Sequence, residues 1–317
     1  MKYLGFIESK NRPLGQKSEL MLKTFLTGMR PQQWWKNTII YLPILFTVNE
    51  TWDFDDLGVF SSLMLTGTLS FILFSLLTGA TYLMNDIFDK DDDRNHPVKR
   101  LRPVASGTMT IKQAWVGACG LIVVCVVGTW FINPIFTIIC LAYTGLSVGY
   151  SLIIRHLPIL DVLAISLGFV LRAEIGSTIL DVPLSPWLYM CTALAALLLA
   201  LTKRRSELIA AGEHAGVQRY SLGSYSLAFL DQLITIVSTT CLLAYCLYTF
   251  SAQNLPSSHI MMFTIPFVAY GMFRYLFIVH KNNESENPIG VILSDRPTLL
   301  SIALWLLVSG VILVFSR

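Results

Sequence analysis

Apolar runs of about 20 residues recur along almost the whole chain, and each is long enough to cross about 30 Å of hydrocarbon as a helix. A helix satisfies its own backbone hydrogen bonds, which lipid cannot do. The pattern therefore predicts an all-α integral membrane protein. Nine transmembrane helices are predicted, at residues 37–48, 61–84, 112–132, 134–151, 159–180, 187–203, 228–250, 262–280 and 299–316.

The composition agrees with this pattern. Hydrophobic residues make up 54% of the 317 positions and charged residues only 14%, and the mean hydropathy is +0.61. These values exclude an ordinary soluble domain. The bilayer is therefore an expected partner, and no nucleic acid is expected.

The placement of Lys and Arg predicts the orientation. With nine spans and a cytoplasmic N-terminus, every Lys and Arg between the spans lies on the cytoplasmic side, and only Arg317 lies outside. One outer loop, "NETWDFDDLG", carries four acids. This agrees with the positive-inside rule. We expect a multi-pass protein of the cell (inner) membrane, with the long loops 85–111, 203–227 and 281–298 in the cytoplasm and the C-terminus outside.

The stretch "NDIFDKDDD" begins where the second predicted span ends. If the helix continues, Asp86, Asp89 and Asp93 share one face, and Asn85 lies one turn before Asp89. Such a stack of like charges requires neutralisation. Oxygen ligands of this kind suit Mg²⁺, which proteins hold through one or two carboxylates together with substrate phosphates.

The acidic stretch is followed at once by the basic "RNHPVKRLRP", which contains Lys99 and Arg100. A diphosphate substrate requires this combination, in which aspartates can hold Mg²⁺ and neighbouring Lys and Arg side chains can hold phosphate. The alternative is a solvated, highly charged loop. His96 is given no catalytic role.

Charged residues also occur within the predicted spans. Asp161 and Arg172 are three helical turns apart, so we expect them to share a face and to line a common cavity. Glu174 points elsewhere and is expected to pair with another helix. Arg274 either has a functional role or extends toward the inner surface. Near the first span, Lys36 in "RPQQWWKN" is a candidate phosphate contact.

"NDIFDKDDD" followed by "RP" resembles the aspartate-rich signature N-D-x-x-D-x-x-x-D of the UbiA prenyltransferase superfamily. "RPQQWWKN", "HPVKRLRPVASG", "LDVLAISLGFVLRAEIG" and "LTKRRSEL" resemble its decaprenyl-phosphate phosphoribosyltransferase branch. The likeness extends from about residue 28 to the end. It implies a UbiA-like bundle with a cytoplasm-facing cavity over 28–317, preceded by a basic arm, 1–27, that is either solvated or bound to the anionic inner leaflet.

Members of that branch transfer 5-phosphoribose from phosphoribosyl pyrophosphate (PRPP) to a polyprenyl phosphate of the decaprenyl type, for arabinose-containing cell-envelope polymers. The resemblance implies Mg²⁺ on Asn85 and Asp89. We expect Asp89, Asp86 and Asp93 to be the catalytic carboxylates, with Asp86 or Asp93 holding a second ion or a water. The resemblance further implies that the PRPP phosphates and ribose are contacted by Lys36, Tyr82, Lys99, Arg155 and Arg172. The sequence leaves open whether one or two Mg²⁺ ions bind and whether the protein forms a homo-oligomer.

Two alternatives remain. An aromatic prenyltransferase of the same superfamily would use an isoprenyl diphosphate, which a second aspartate-rich motif helps to bind. Here the corresponding region, "YSLIIRHLPILDVL", offers a single aspartate, Asp161, and supplies Arg155. A transporter of a phosphorylated solute is the second alternative, but no internal repeat supports it.

Overall fold

The computed structural model describes residues 14–48, 51–52, 56–96, 98–182, 185–212, 220–252, 255, 258–281 and 288–315. The α-helices are α1 (Leu14–Met29), α2 (Leu42–Phe46), α3 (Leu57–Phe88), α4 (Lys90–Asn95), α5 (Pro103–Ser106), α6 (Ile111–Ile132), α7 (Pro134–Leu152), α8 (Leu160–Leu180), α9 (Pro186–Ala211), α10 (Tyr220–Gly223), α11 (Leu227–Ser251), α12 (Ile265–Lys281), α13 (Pro288–Ser294) and α14 (Arg296–Phe315). Four 3₁₀ helices occur at Pro31–Tyr41, Lys99–Leu101, Ile154–His156 and Ile260–Thr264.

Within the described part of the chain, 8 helices are long and apolar enough to cross a membrane. They are α3, α6, α7, α8, α9, α11, the continuous stretch Ile260–Lys281 and α14, and they correspond to the second to ninth predicted spans. The protein is thus a multi-pass, helical integral membrane protein. The count of nine is not confirmed, because the first predicted span, 37–48, falls on a 3₁₀ helix and the five residues of α2. Pro43 lies at the start of α2 and lacks the N–H that a continuous α-helix would need.

The second predicted span continues beyond its apolar part. Helix α3 has 32 residues, about 48 Å at 1.5 Å per residue, which exceeds the thickness of the hydrocarbon. Its last turn therefore carries Asn85 and Asp86 out of the apolar stretch. The expectation that the helix continues into the acidic signature is confirmed as far as Phe88.

The described residues divide into two compact units, one containing 14–38 and 69–152 and the other 39–68 and 153–315. The first unit includes α1, whose Phe25 ring lies against Gly117 of α6 and whose Met29 lies against Gly79 of α3. Met29 joins a core with Ala80, Leu83 and Val104. From Leu14 onward, the predicted arm 1–27 is therefore helical, and residues 1–13 lie outside the described residues.

In the second unit, α9 packs along both α8 and α11, and α12 packs along α14. The core between α8, α9 and α11 contains Val162, Leu201 and Leu230. The N-terminal end of α8 and the C-terminal half of α9 are thereby brought together, and Arg204 of α9 lies beside Asp161 of α8.

Candidate active site

The acidic signature lies in the first unit, at the junction of α3 and α4. The N–H of Asp89 donates to the carbonyl oxygen of Asn85 at 2.9 Å, and the N–H of Asp93 donates to that of Asp89 at 2.8 Å. Helical hydrogen bonds thus continue through the junction. As the spacing predicts, Asn85, Asp89 and Asp93 occupy successive turns.

Asn85 is held by a neighbour from α7. The Ser151 hydroxyl lies 2.8 Å from Oδ1 of Asn85 and 2.9 Å from the carbonyl oxygen of Ser147. This contact fixes the rotamer of the Asn85 amide, as residues around metal ligands commonly do. Ser151 has no signal in the sequence, because a lone serine in an apolar helix is usually a packing residue.

Asp86 has quite different surroundings. Its side chain is 1% exposed and forms an ion pair with Arg30, while Nη1 of Arg102 lies 3.5 Å from the same oxygen, Oδ1. Its other oxygen, Oδ2, is buried without a hydrogen-bond partner among the described residues. Arg30 adopts a left-handed backbone conformation, with φ of 53°, and its guanidinium lies 5.0 Å from the centre of the Tyr82 ring.

Asp93 is likewise paired, since Nη1 of Arg102 donates to its Oδ2 at 2.6 Å. Burial raises the pKa of Asp93 above its ordinary value, and the adjacent Arg102 opposes that rise. Asp86 and Asp93 thus share Arg102. Arg102 belongs to the basic run after the signature, but the sequence predicts neither Arg102 nor Arg30 as the partner of a buried aspartate, although a buried acid generally requires such a partner.

The basic residues after the signature lie on an exposed loop. Lys99 and Arg100 form a 3₁₀ turn with exposed side chains. The turn begins where Nδ1 of His96 accepts hydrogen bonds from the N–H groups of Val98 and Lys99, at 3.2 and 3.3 Å. This backbone role agrees with the view of His96 as a turn residue. Lys36 and Tyr82, in the same unit, are half-buried.

Arg155 and Arg172 belong to the second unit. Arg155 is half-buried on the 3₁₀ turn Ile154–His156, and its Nε lies 3.0 Å from Nε2 of His156. Arg172 is 5% exposed. Its Nη1 donates to the carbonyl oxygen of Gly168 at 2.7 Å, and its guanidinium lies 5.1 Å from the centre of the Phe169 ring.

Asp161 is fully buried, and both of its carboxylate oxygens are engaged. Oδ1 accepts a hydrogen bond from the Tyr225 hydroxyl at 2.8 Å, and Oδ2 accepts one from Nε of Arg204, also at 2.8 Å. These contacts give Asp161 an anchoring position, and its place beside Arg172 in a substrate cavity stays a prediction. The sequence contains a signal for this pairing. Asp161 begins one predicted span and Arg204 follows the end of the next, so the two residues are expected on the same side of the membrane.

The other two intramembrane charges are paired as well. Glu174 accepts a hydrogen bond from Tyr189 of α9, so the expected pairing with another helix is confirmed. Arg274 donates to both oxygens of Asp295, at 3.1 and 2.9 Å. Asp295 lies outside the spans, and the Arg274 and Thr298 hydrogen bonds lower its pKa.

The residues at the α3–α4 junction fit a magnesium ion. Asn85 and Asp89 offer oxygen donors one helical turn apart, and Mg²⁺ binds through one or two such ligands completed by substrate phosphates. No group of three His, Cys, Asp or Glu side chains that could enclose a metal occurs in the described residues. The arrangement therefore suits an ion that the substrate helps to bind.

Comparison with known proteins decides the family. The profile of the UbiA prenyltransferase family matches residues 53–289, which is well over half of the chain. The chain belongs to the UbiA prenyltransferase family. Among solved structures, it is similar to a UbiA homolog from Archaeoglobus fulgidus bound to GPP and Mg²⁺. That match has a TM-score of 0.67 and 17% identity, and it covers 92% of this chain and 99% of that one.

Two relatives within the UbiA family resemble the chain over nearly its whole length. The decaprenyl-phosphate phosphoribosyltransferase of Mycobacterium tuberculosis is 29% identical over 289 residues, which cover 91% of this chain and 94% of that protein. The protein of the same name from Mycolicibacterium smegmatis is 28% identical over 314 residues, or 96% and 97% of the two chains. The likeness therefore reaches both units.

Proposed function

We propose that this UbiA-family protein transfers 5-phosphoribose from PRPP to a polyprenyl phosphate of the decaprenyl type. The observation that carries the proposal is the full-length similarity to two decaprenyl-phosphate phosphoribosyltransferases. The α3–α4 junction supports it chemically, because the oxygen pair of Asn85 and Asp89 lies in the same unit as the exposed cations Lys99 and Arg100. The product would supply arabinose-type envelope glycolipids.

Asn85 and Asp89 would hold Mg²⁺, which neutralises the diphosphate of PRPP and so improves it as a leaving group. From the sequence, Asp86 and Asp93 are expected to hold a second ion or a water. Their contacts with Arg30 and Arg102 favour another role, in which the two aspartates hold these arginines at the base of the junction. Asp89 remains the proposed catalytic carboxylate.

Cationic side chains would hold the donor's phosphates. The residues proposed for the phosphates and ribose of PRPP are Lys36, Tyr82, Lys99, Arg100, Arg155 and Arg172. Arginine suits phosphate because its planar guanidinium can donate two parallel hydrogen bonds. These assignments are supported by the motifs that carry the family resemblance.

In the reaction, the bond between the anomeric carbon and the diphosphate oxygen breaks, and its electron pair leaves with diphosphate. An oxygen of the acceptor phosphate forms the new bond to that carbon. A phosphate monoester has a second pKa of about 6, so the acceptor is already mostly an anion near neutral pH. The protein then needs no general base, and its contribution is positioning and electrostatic stabilisation.

The surroundings of Asp161 favour PRPP over an isoprenyl diphosphate as donor. A second acidic motif would need free carboxylate oxygens for another metal ion, whereas both oxygens of Asp161 are bound by Tyr225 and Arg204. The 3₁₀ turn Ile154–His156, which precedes α8, supplies Arg155, and this cation suits a donor with an additional phosphate ester. Asp161 therefore adds no free acid to a second metal site.

We further propose that residues 28–317 form the catalytic part, in the cell (inner) membrane, with the N-terminus and active site facing the cytoplasm. The support is the distribution of Lys and Arg among the loops, which follows the positive-inside rule. A cytoplasmic site is also where PRPP would be encountered.

The test is transfer by the purified protein in detergent with PRPP, Mg²⁺ and a polyprenyl phosphate, followed through diphosphate release and mass analysis of the lipid. We expect release that depends on both substrates. Asp89→Ala should lower the rate about 100-fold or more, the scale of losing a principal electrostatic contact. Asp91→Ala is the matched control, because Asp91 belongs to the same acidic run but its side chain is 89% exposed.

A parallel reaction supplies an isoprenyl diphosphate and a hydroxybenzoate in place of PRPP and the lipid phosphate. Prenyl transfer in this reaction, with no diphosphate release from PRPP, would establish the aromatic prenyltransferase alternative. Equal activity of Asp89→Ala and Asp91→Ala would remove the metal assignment.

A further inference from the structure

The turn between α7 and α8, residues 153–159, presents Arg155 without forming an apolar core of its own. Ile153 is 63% exposed and Ile159 is 47% exposed. Burial of its own side chains therefore does little to fix the position of this turn. The contacts that hold it must come from neighbouring segments.

The turn contains a backbone conformation that is rarely adopted. Ile159 has a φ of 69°, in the half of conformational space that a β-branched residue generally avoids. The N–H of Leu160 donates to the carbonyl oxygen of Pro158 at 2.8 Å, which closes a γ-turn centred on Ile159. Such a conformation persists only where the surrounding structure imposes it.

Tyr225 is the neighbour that imposes it. Its hydroxyl oxygen accepts a hydrogen bond from the N–H of Ile159 at 2.6 Å, and its proton goes to Oδ1 of Asp161 at 2.8 Å. Since a backbone N–H can only donate, the single hydroxyl proton has no other assignment. Burial raises the pKa of Tyr225 to about 12, so the proton is retained at neutral pH.

The far end of this chain of hydrogen bonds is fixed too. Arg204 donates from Nε to the second oxygen of Asp161 at 2.8 Å, and Arg204 is only 1% exposed. The carboxylate is therefore held by α9 while it holds the hydroxyl of Tyr225. Every donor in the series has one acceptor, so the network has a single arrangement.

A second anchor comes from the same segment. The hydroxyl of Ser221, which is fully buried, donates to the carbonyl oxygen of Arg155 at 2.8 Å. Ser221 and Tyr225 thus hold the two ends of the turn, one at Arg155 and the other at Ile159. Both hydrogen bonds are made to the main chain of the turn.

We propose that Tyr225, together with Ser221, is a positioning residue for Arg155, and that it holds the turn so that the guanidinium meets a phosphate of the donor. The inference rests on the proposed function in that this phosphate belongs to PRPP. Tyr225 does not touch the substrate in this proposal and acts only through the turn.

The test compares Tyr225→Phe with Tyr275→Phe in the full-length protein. Tyr275 belongs to the same buried cluster as Tyr225, but its hydroxyl bonds to that of Thr202 at 2.6 Å and does not contact the turn. Each substitution removes one buried hydroxyl and keeps the ring. We expect Tyr225→Phe to raise the KM for PRPP about 5- to 10-fold, the scale of one lost hydrogen bond, with kcat within about 2-fold. Tyr275→Phe should leave both constants unchanged.

An unchanged KM in Tyr225→Phe, or equal increases in the two variants, would overturn the proposal. Ser221→Ala provides a second measurement if Tyr225→Phe does not fold, and it should raise the same KM with kcat largely kept. A normal KM in Ser221→Ala would then count against positioning by this segment.

Amide hydrogen exchange of the protein without substrates separates this inference from the proposed function. Tyr225→Phe should speed exchange at residues 153–160, while Tyr275→Phe should not. Absence of any transfer from PRPP by the wild-type protein would refute the proposed function alone. Equal exchange in the two variants would refute the anchoring of the turn, whichever donor the protein uses.

Discussion

The five aspartates from Asp86 to Asp93 have unequal surroundings. Asp86 and Asp93 are 1% and 3% exposed, and each is paired with arginine. Asp91 and Asp92 are exposed, whereas Asp89 lies half-buried at the helix junction. A carboxylate already neutralised by arginine is a poorer metal ligand, which argues against Asp86 and Asp93 as ligands. Asp89 remains the proposed residue for Mg²⁺.

The pairing of Asp86 predicts a stability effect at this residue. Asp86→Ala should lower the free energy of unfolding by about 2–3 kcal/mol, because it removes the carboxylate partner of Arg30 and leaves Arg102 with Asp93 alone. This loss of unfolding free energy is smaller than that expected for breaking a fully buried ion pair, because the side chains of Arg30 and Arg102 are 24% and 21% exposed. Unfolding of the detergent-solubilised protein by added denaturant measures the change.

Asp89→Ala is the control for that measurement. It should remove activity while changing the free energy of unfolding by less than about 1 kcal/mol. If Asp89→Ala destabilised the protein as much as Asp86→Ala, the distinction between a structural and a metal-binding aspartate would be lost.

At the scale of elements, close approach between backbones positions the segment before α2. Gly176 of α8 lies so near the 3₁₀ helix Pro31–Tyr41 that an added Cβ would be 2.5 Å from the carbonyl oxygen of Ile40. Because that neighbour is backbone, it cannot rotate away. Packing therefore requires a glycine at this position. The backbone conformation does not, because Gly176 does not have a positive φ.

Gly176→Ala should consequently destabilise the protein by about 1–3 kcal/mol, as overpacking in a close-packed interior does. Gly310→Ala in α14 is the matched control, since an added Cβ there meets nothing within 4 Å. Thermal unfolding in detergent should show a lower midpoint for the first variant only. Similar midpoints for the two variants would mean that α8 and the 3₁₀ helix separate without cost.

At the scale of the whole molecule, the number of crossings determines on which side the C-terminus lies. Eight described helices are long enough to cross, and alternation of the charged loops requires one further crossing. We predict that the segment 37–48 makes this crossing; the structure divides it between the 3₁₀ helix Pro31–Tyr41 and α2.

We therefore predict an odd number of crossings, with the C-terminus outside the cell. Alkaline phosphatase fused after Arg317 should be active and green fluorescent protein at that point dark, whereas fluorescent protein inserted after Gly107 should fluoresce. Gly107 is a suitable control because it lies in the exposed loop beyond the basic run and has a φ of 81°. A fluorescent C-terminal fusion would show an even number of crossings.

The sequence by itself determined the class of protein and the location of its chemistry. Apolar runs predict helical spans because the bilayer requires each segment to satisfy its own backbone, and this condition is local. The acidic and basic runs around Asp89 are adjacent in the chain, so they are adjacent in any fold. For the same reason, the signature was sufficient to predict the UbiA family.

Only the tertiary structure decided which charges are neutralised and which turns are held. Asp86 meets Arg30 from 56 positions away, and Asp161 meets Arg204 from 43 positions away; no local pattern encodes either pairing. The strained backbone at Ile159 likewise donates a hydrogen bond to a hydroxyl 66 positions later. Such contacts arise from the packing of separate helices, and for that reason Asp161 could be predicted as a buried charge but not as an anchor.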